Sequence, residues 1–169
     1  MHVISRAVYR SNAEGYLDLK RHAHIWSFEV PTASDEVPKP VQLTSGNFDE
    51  GQLVWSHDGT RIYFLTRLID EPYYELPSSE IYSVSAAGGD AEKLVTNPMD
   101  IGDLVLSPDG RKLAFHGSVA QPIRSYSQPD LWVMDVARGA KPQNLTADYD
   151  FDMGHSVGGD NAESVLRLL

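Results

Sequence analysis

Apolar and polar residues alternate along this chain in short runs, and tight-turn chemistry separates the runs. His24-Ile-Trp-Ser-Phe-Glu-Val30 sets Trp26, Phe28 and Val30 against Ile25, Ser27 and Glu29. That period of two predicts a strand with one apolar face. Runs of the same kind lie over 3–9, 40–44, 53–55, 61–66, 80–85, 92–96, 130–135 and 142–146. Helical spacing appears only at the end, in Ala162-Glu-Ser-Val-Leu-Arg-Leu-Leu169. The pattern therefore predicts an all-β protein.

The sharpest signal is a hairpin that occurs twice. Leu104-Val-Leu-Ser-Pro-Asp-Gly-Arg-Lys-Leu-Ala-Phe115 brings an apolar strand into Ser107-Pro-Asp-Gly110 and leads a second strand out. Pro108 presets φ at the first corner, Asp109 tolerates the next, and Gly110 supplies the positive φ that closes a type I turn with a bulge. Leu53-Val-Trp-Ser-His-Asp-Gly-Thr-Arg-Ile-Tyr-Phe64 repeats the device. Ser56 and Ser107, Gly59 and Gly110, and Phe64 and Phe115 are each 51 positions apart, as are Leu43, Leu94 and Leu145. Trp26, Tyr82 and Trp132 fall at one place in the third strand of each unit.

Four strands per unit of about 50 residues is the pattern of β-propeller blades. The expected fold is an incomplete propeller of about three blades, each a four-stranded antiparallel meander. Residues 1–46 supply the last three strands of a first blade, 47–96 a second, 97–146 a third, and 147–169 an inter-blade link and tail. In an up-and-down blade the first and third turns share one face of the disc. The tight Asp-Gly and Gly-Gly turns then lie on one side. The long loops 68–79 and 117–129 lie on the other with the links 45–52 and 97–103, and function is expected there. A closed ring takes roughly four to eight blades. The count therefore implies either a longer polypeptide or self-association through open sheet edges.

Composition narrows the partners. The formal net charge is −10, which disfavours nucleic acid and anionic membrane surfaces, since both need basic patches. The sequence has no cysteine, so disulfides, thiolate metal sites and a cysteine nucleophile are ruled out. No stretch approaches the roughly 18 apolar residues of a membrane span. Met1-His-Val-Ile-Ser-Arg6 lacks the apolar core of a signal peptide. A soluble protein is expected, with the cytoplasm slightly favoured.

Several stretches together resemble the propeller domain of prolyl oligopeptidase family serine peptidases, of the acylaminoacyl-peptidase and dipeptidyl-peptidase-like branch. They are Tyr9-Arg10, Glu14-Gly-Tyr-Leu-Asp18, Arg21-His-Ala-His-Ile-Trp26, Gln42-Leu-Thr44, Val54-Trp-Ser-His-Asp-Gly59, Ala87-Gly-Gly89, Leu106-Ser-Pro-Asp-Gly110 and Asn144-Leu-Thr146. TolB-like propellers share the Ser-Pro-Asp-Gly turns, while the stretch from Gly15 to Trp26 is the more specific. The resemblance implies a non-catalytic segment that gates or orients peptide substrates for an α/β-hydrolase domain absent from this chain. The alternative is a TolB-like interaction propeller with no link to proteolysis.

Candidate chemistry is sparse. Gly154-His-Ser-Val-Gly158 fits G-x-S-x-G, but an elbow needs a buried apolar strand before it. Asp148-Tyr-Asp-Phe-Asp152 is charged at every second position, and no His follows Ser156. Asp148, Asp150 and Asp152 resemble the start of a calcium loop, but Met153 replaces the required Gly and Gly159 the required Glu. His22 and His24 could share a strand face as metal ligands, with no third ligand nearby in sequence. Trp26, Trp55, Phe64, Tyr82, Phe115 and Trp132 read as core between sheets. Tyr73 and Tyr74, in the long loop 68–79, are the candidate substrate or partner contacts. No catalytic residue, metal site or cofactor is expected in this chain.

Overall fold

The computed structural model describes residues 4, 9–12, 15, 16, 18, 20–32, 37–67, 78–97, 99–119, 128–150 and 153. Among these residues all regular structure is β. Two short pairs come first: β1 (Arg10–Ser11) with β2 (Gly15–Tyr16), and β3 (Trp26–Ser27) with β4 (Val41–Gln42). A four-stranded antiparallel meander follows, made of β5 (Asp49–Trp55), β6 (Arg61–Arg67), β7 (Ser79–Ser85) and β8 (Glu92–Asn97). The next meander has the same order, from β9 (Met99–Leu106) through β10 (Lys112–Val119) and β11 (Asp130–Asp135) to β12 (Gln143–Asn144). Successive meanders with their first strands, β5 and β9, side by side have the arrangement of propeller blades.

The middle sheet is covered on both faces, which explains the unbroken apolar run in β6. Ile62 and Phe64 pack with Ile25, Leu43 and Val84 toward the preceding pair. Tyr63 and Leu65 point the other way and join Leu104, Leu113, Phe115 and Met134 of the next sheet. Alternate residues of a strand face opposite sides, so only a sheet buried twice carries an apolar residue at every position. Fully burying one such aromatic side chain contributes roughly 2–3 kcal/mol.

The two Asp-Gly hairpins close alike. Gly59 and Gly110 take φ of 69° and 72°. The Ser56 hydroxyl donates to Asp58 Oδ1 at 2.6 Å, and the Arg61 amide donates back to Ser56 Oγ at 2.9 Å. Ser107, Asp109 and Lys112 repeat both bonds at 2.6 and 2.9 Å. Hydrogen bonds from Ser56 and then Thr60 hold the Asp58 carboxyl down at about 2. Ser107 and the Arg111 amide lower Asp109 by the same means.

The first strand of each meander begins earlier than its apolar run suggests. The second half of the link expected at 45–52 and most of that expected at 97–103 are strand, because β5 starts at Asp49 and β9 at Met99. Each of these strands carries an irregularity at an equivalent place, where non-glycine residues adopt positive φ: Gln52 at 53° and Asp103 at 52°, 51 residues apart. A bulge inserts one residue and re-aims the strand. That is why Asp49-Glu-Gly51 and Asp100-Ile-Gly102 pair with their neighbours despite a composition that reads as a turn.

The aromatic core needs correction. Phe64 and Phe115 are buried, and Tyr82 and Trp132 are half-buried. Trp26 and Trp55, however, are 54% and 51% exposed. Alternation sets which face a side chain takes, but whether that face is covered depends on a neighbouring sheet, and among the described residues none covers these two.

Candidate functional site

The sheets end on one side where the longest connections leave. Asp49 is paired with Arg67, and Arg67 with Ser79, so the start of β5 lies at the end where β6 gives way to residues 68–78. Tyr73, Tyr74 and most of both long loops lie outside the described residues, as does Ser156 with its G-x-S-x-G motif. What the structure places at this end is a set of histidines and carboxylates.

The segment before β3 runs beside β5. The Glu50 amide donates to the Ala23 carbonyl at 3.0 Å, and the Ala23 amide donates to Asp49 Oδ1 at 2.6 Å. These bonds bring His24 Nδ1 to 2.9 Å from Glu50 Oε2, with the Glu50 side chain only 1% exposed. His22 Nδ1 lies 3.6 Å from Asp49 Oδ1, beyond hydrogen-bond length, and is buried with no hydrogen-bond partner. The His22 and His24 rings are 6.4 Å apart. In the next sheet His116 Nδ1 meets Asp103 Oδ2 at 3.2 Å. Each of these histidines faces a carboxylate 13 to 27 residues away in sequence. Among the described residues no group of three or more His, Asp or Glu is arranged to hold a metal ion.

A polar row continues inward from Glu50. Thr66 in β6 lies directly opposite both Glu50 and Glu80. Glu80 accepts the Tyr82 hydroxyl at 2.9 Å and the Lys93 ammonium at 2.9 Å. Burial, and then the bond to Glu80, push the Tyr82 phenol up to about 12, so it stays a proton donor across the ordinary pH range. The Thr66 hydroxyl is buried with no hydrogen-bond partner.

Chemically, this arrangement carries exchangeable protons at the His–carboxylate pairs and fixed dipoles along the row. His24 and His116 each face a carboxylate. Repeat spacing alone does not reveal these pairs, because the carboxylates facing His22 and His24 sit in the next unit and His116 meets Asp103 across two strands of its own. The visible signal was His22 and His24 on one stretch. The missing one was the acidic start of β5.

The region just before G-x-S-x-G is also placed. The Met153 amide donates to the Pro129 carbonyl at 3.1 Å, as Glu50 does to Ala23. Pro129 stands three residues before Trp132, as Ala23 does before Trp26. Asp148 and Asp150 are exposed.

No protein-family model and no curated protein matches the sequence. Among solved structures the chain is similar to a protein described as TolB from Agrobacterium tumefaciens, with 21% identity and a TM-score of 0.48, over 63% of this chain and 36% of that one. The matched part is thus little more than a third of that protein's length. Among the described residues no helix is long and apolar enough to cross a membrane.

Proposed function

We propose that the chain is a non-catalytic propeller segment that orients peptide for a serine peptidase domain of the α/β-hydrolase type, lying outside these residues. One observation carries the reading. Of the stretch most like the peptidase propellers, Gly15 to Trp26, the part around Ala23 runs beside β5, where His22 and His24 face Asp49 and Glu50 at the end of the sheets where long connections begin. Long connections on a rigid scaffold suit transient contact with a passing polypeptide. The resemblance assigns bond cleavage to the absent domain, and none is assigned to the side chains here.

A second reading has its own support. Phe28, Val30, Val37, Val41 and Trp55 are exposed and line one groove beside the β3–β4 pair. A contiguous apolar patch of this kind marks a protein contact, as in an interaction propeller unconnected with proteolysis.

One experiment separates the two. The whole chain is titrated with an uncharged, unstructured peptide while backbone amide resonances are followed, and is treated in parallel with a fluorophosphonate serine probe. The expected result is shifts at His24, Glu50 and Asp103 and no adduct. An adduct on Ser156 would overturn the non-catalytic reading. Shifts confined to Phe28, Val30 and Trp55 would favour the interaction propeller instead.

A further inference from the structure

An open groove of about 820 Å³ separates the two four-stranded meanders. One wall is the start of β8, the other the turn from β11 to β12. We propose that this groove docks an acidic, extended polypeptide segment, an interaction that does not depend on the peptidase reading.

Charge carries the first argument. The chain has 24 acidic and 14 basic residues, yet Arg138 and Lys141 stand on this turn, and among the described residues neither has a carboxylate in ion-pair reach. The other charges of the groove are mostly spoken for. Lys93 is 2.9 Å from Glu80, and Glu92 is 3.3 Å from Arg61. Asp90 is the remaining acid at the rim. The matching turn of the preceding sheet, Ala86-Ala-Gly-Gly-Asp90, has no cation. The basic pair is thus a property of this turn and not of the repeat.

Shape carries the second. Leu94, Met99 and the half-buried Trp132 give the groove an apolar lining that suits one or two side chains. Trp132 is fixed by its Nε1–H donating to the Gly117 carbonyl at 3.0 Å. β8 is the last strand of its sheet among the described residues, so its outer edge offers backbone donors and acceptors that no described strand pairs. The Gly139 amide donates to the Leu94 carbonyl at 2.7 Å and pins the turn to that edge. An extended segment laid along β8 would use the remaining edge groups, as in strand addition, while its carboxylates meet Arg138 and Lys141.

The test uses a fluorescein-labelled dodecapeptide of alternating aspartate and leucine, with an asparagine-for-aspartate version as control, titrated into the whole chain. The protein's overall field repels an anion, so binding that weakens as salt rises marks local attraction. The expected result is saturable binding of the aspartate peptide that falls about tenfold in Arg138→Glu/Lys141→Glu, since two attractions are lost and the reversal adds repulsion. Both residues are exposed on a turn, and circular dichroism verifies the fold of the variant. Lys39→Glu, the same reversal at the other groove, is expected to change affinity less than twofold. Absence of binding, equal binding of the asparagine peptide, or indifference to the double reversal would overturn the proposal. Concentration-dependent self-association that the double reversal abolishes, with no peptide binding, would overturn it in favour of a second copy of this chain.

Discussion

Phe64 in β6 and Phe115 in β10 stand 51 residues apart at the same place in the repeat, yet their surroundings differ. Phe115 belongs to a wide apolar seam that takes in Leu65, Ile81, Met99, Leu104, Leu113 and Met134 from both meanders. Phe64 sits in a smaller cluster with Ile25, Leu43, Ile62 and Val84, stacked on Tyr82 at 5.8 Å. Beside that smaller cluster run the charged contacts: His24 with Glu50, and Lys93 and Tyr82 with Glu80. One repeat has produced a mainly apolar seam on one side of the middle sheet and a mixed seam on the other. Packing area decides the strength of the first, and hydrogen-bond completeness decides that of the second.

The strongest way to break this contrast is to empty both aromatic sites. Phe115→Ala is expected to cost about 3–5 kcal/mol, the usual range for a buried Phe. Phe64→Ala should cost less, because its smaller, partly polar surroundings can close over the space. Denaturant melts of both variants give the comparison, and a larger loss at Phe64 would reverse it. Next comes Glu50→Gln, which keeps the shape of the side chain and removes its charge. Losing the charge-assisted bond to His24 should cost about 1–3 kcal/mol. Hydrogen exchange should quicken at Ala23, Ile25 and Leu43 while β9 to β11 keep their protection. Uniform quickening across both meanders would mean that the two seams open as one.

These expectations divide along the line between what the sequence shows and what only the fold can. The Asp-Gly hairpins were legible because each turn is closed by residues within five positions, such as Ser56 with Arg61. The Leu-Thr pairs were legible too, and the structure gives their reason. Thr44 and Thr146 turn their hydroxyls to accept the amides of Ile25 and Leu131 at 2.8 and 3.0 Å. The early starts of β5 and β9 were hidden, since Asp49-Glu-Gly51 has poor strand propensity and is recruited by pairing with β6. The His24–Glu50 pair was hidden because 26 residues separate its members. The exposure of Trp26 and Trp55 could not be read from alternation, which assigns a face and says nothing of what lies against it.

The smallest expected effect concerns acid. Asp58 lies below its ordinary range in the folded chain, at about 2 against an ordinary 3.8. A group depressed on folding contributes stability above its unfolded value, and that contribution is lost as pH falls through the folded one. Stability should therefore decline between about pH 4 and pH 2, and Asp58→Asn should flatten that part of the profile. Asp109 acts in the same direction, so Asp109→Asn should flatten it further. Thermal melts across that range check the slope. A steeper decline in either variant would contradict the bonding described for these turns.

One contact between the hairpins bears on how such a chain assembles. His57 Nε2 donates to the Ser107 carbonyl at 2.8 Å, and its ring lies against Gly110. At the matching place the other hairpin has Pro108, which offers no side-chain donor. Units with the same turns and the same spacing are prone to exchange partners while folding. A donor present in one hairpin and missing from the next tells the two apart, and it favours one order of neighbours over its permutations.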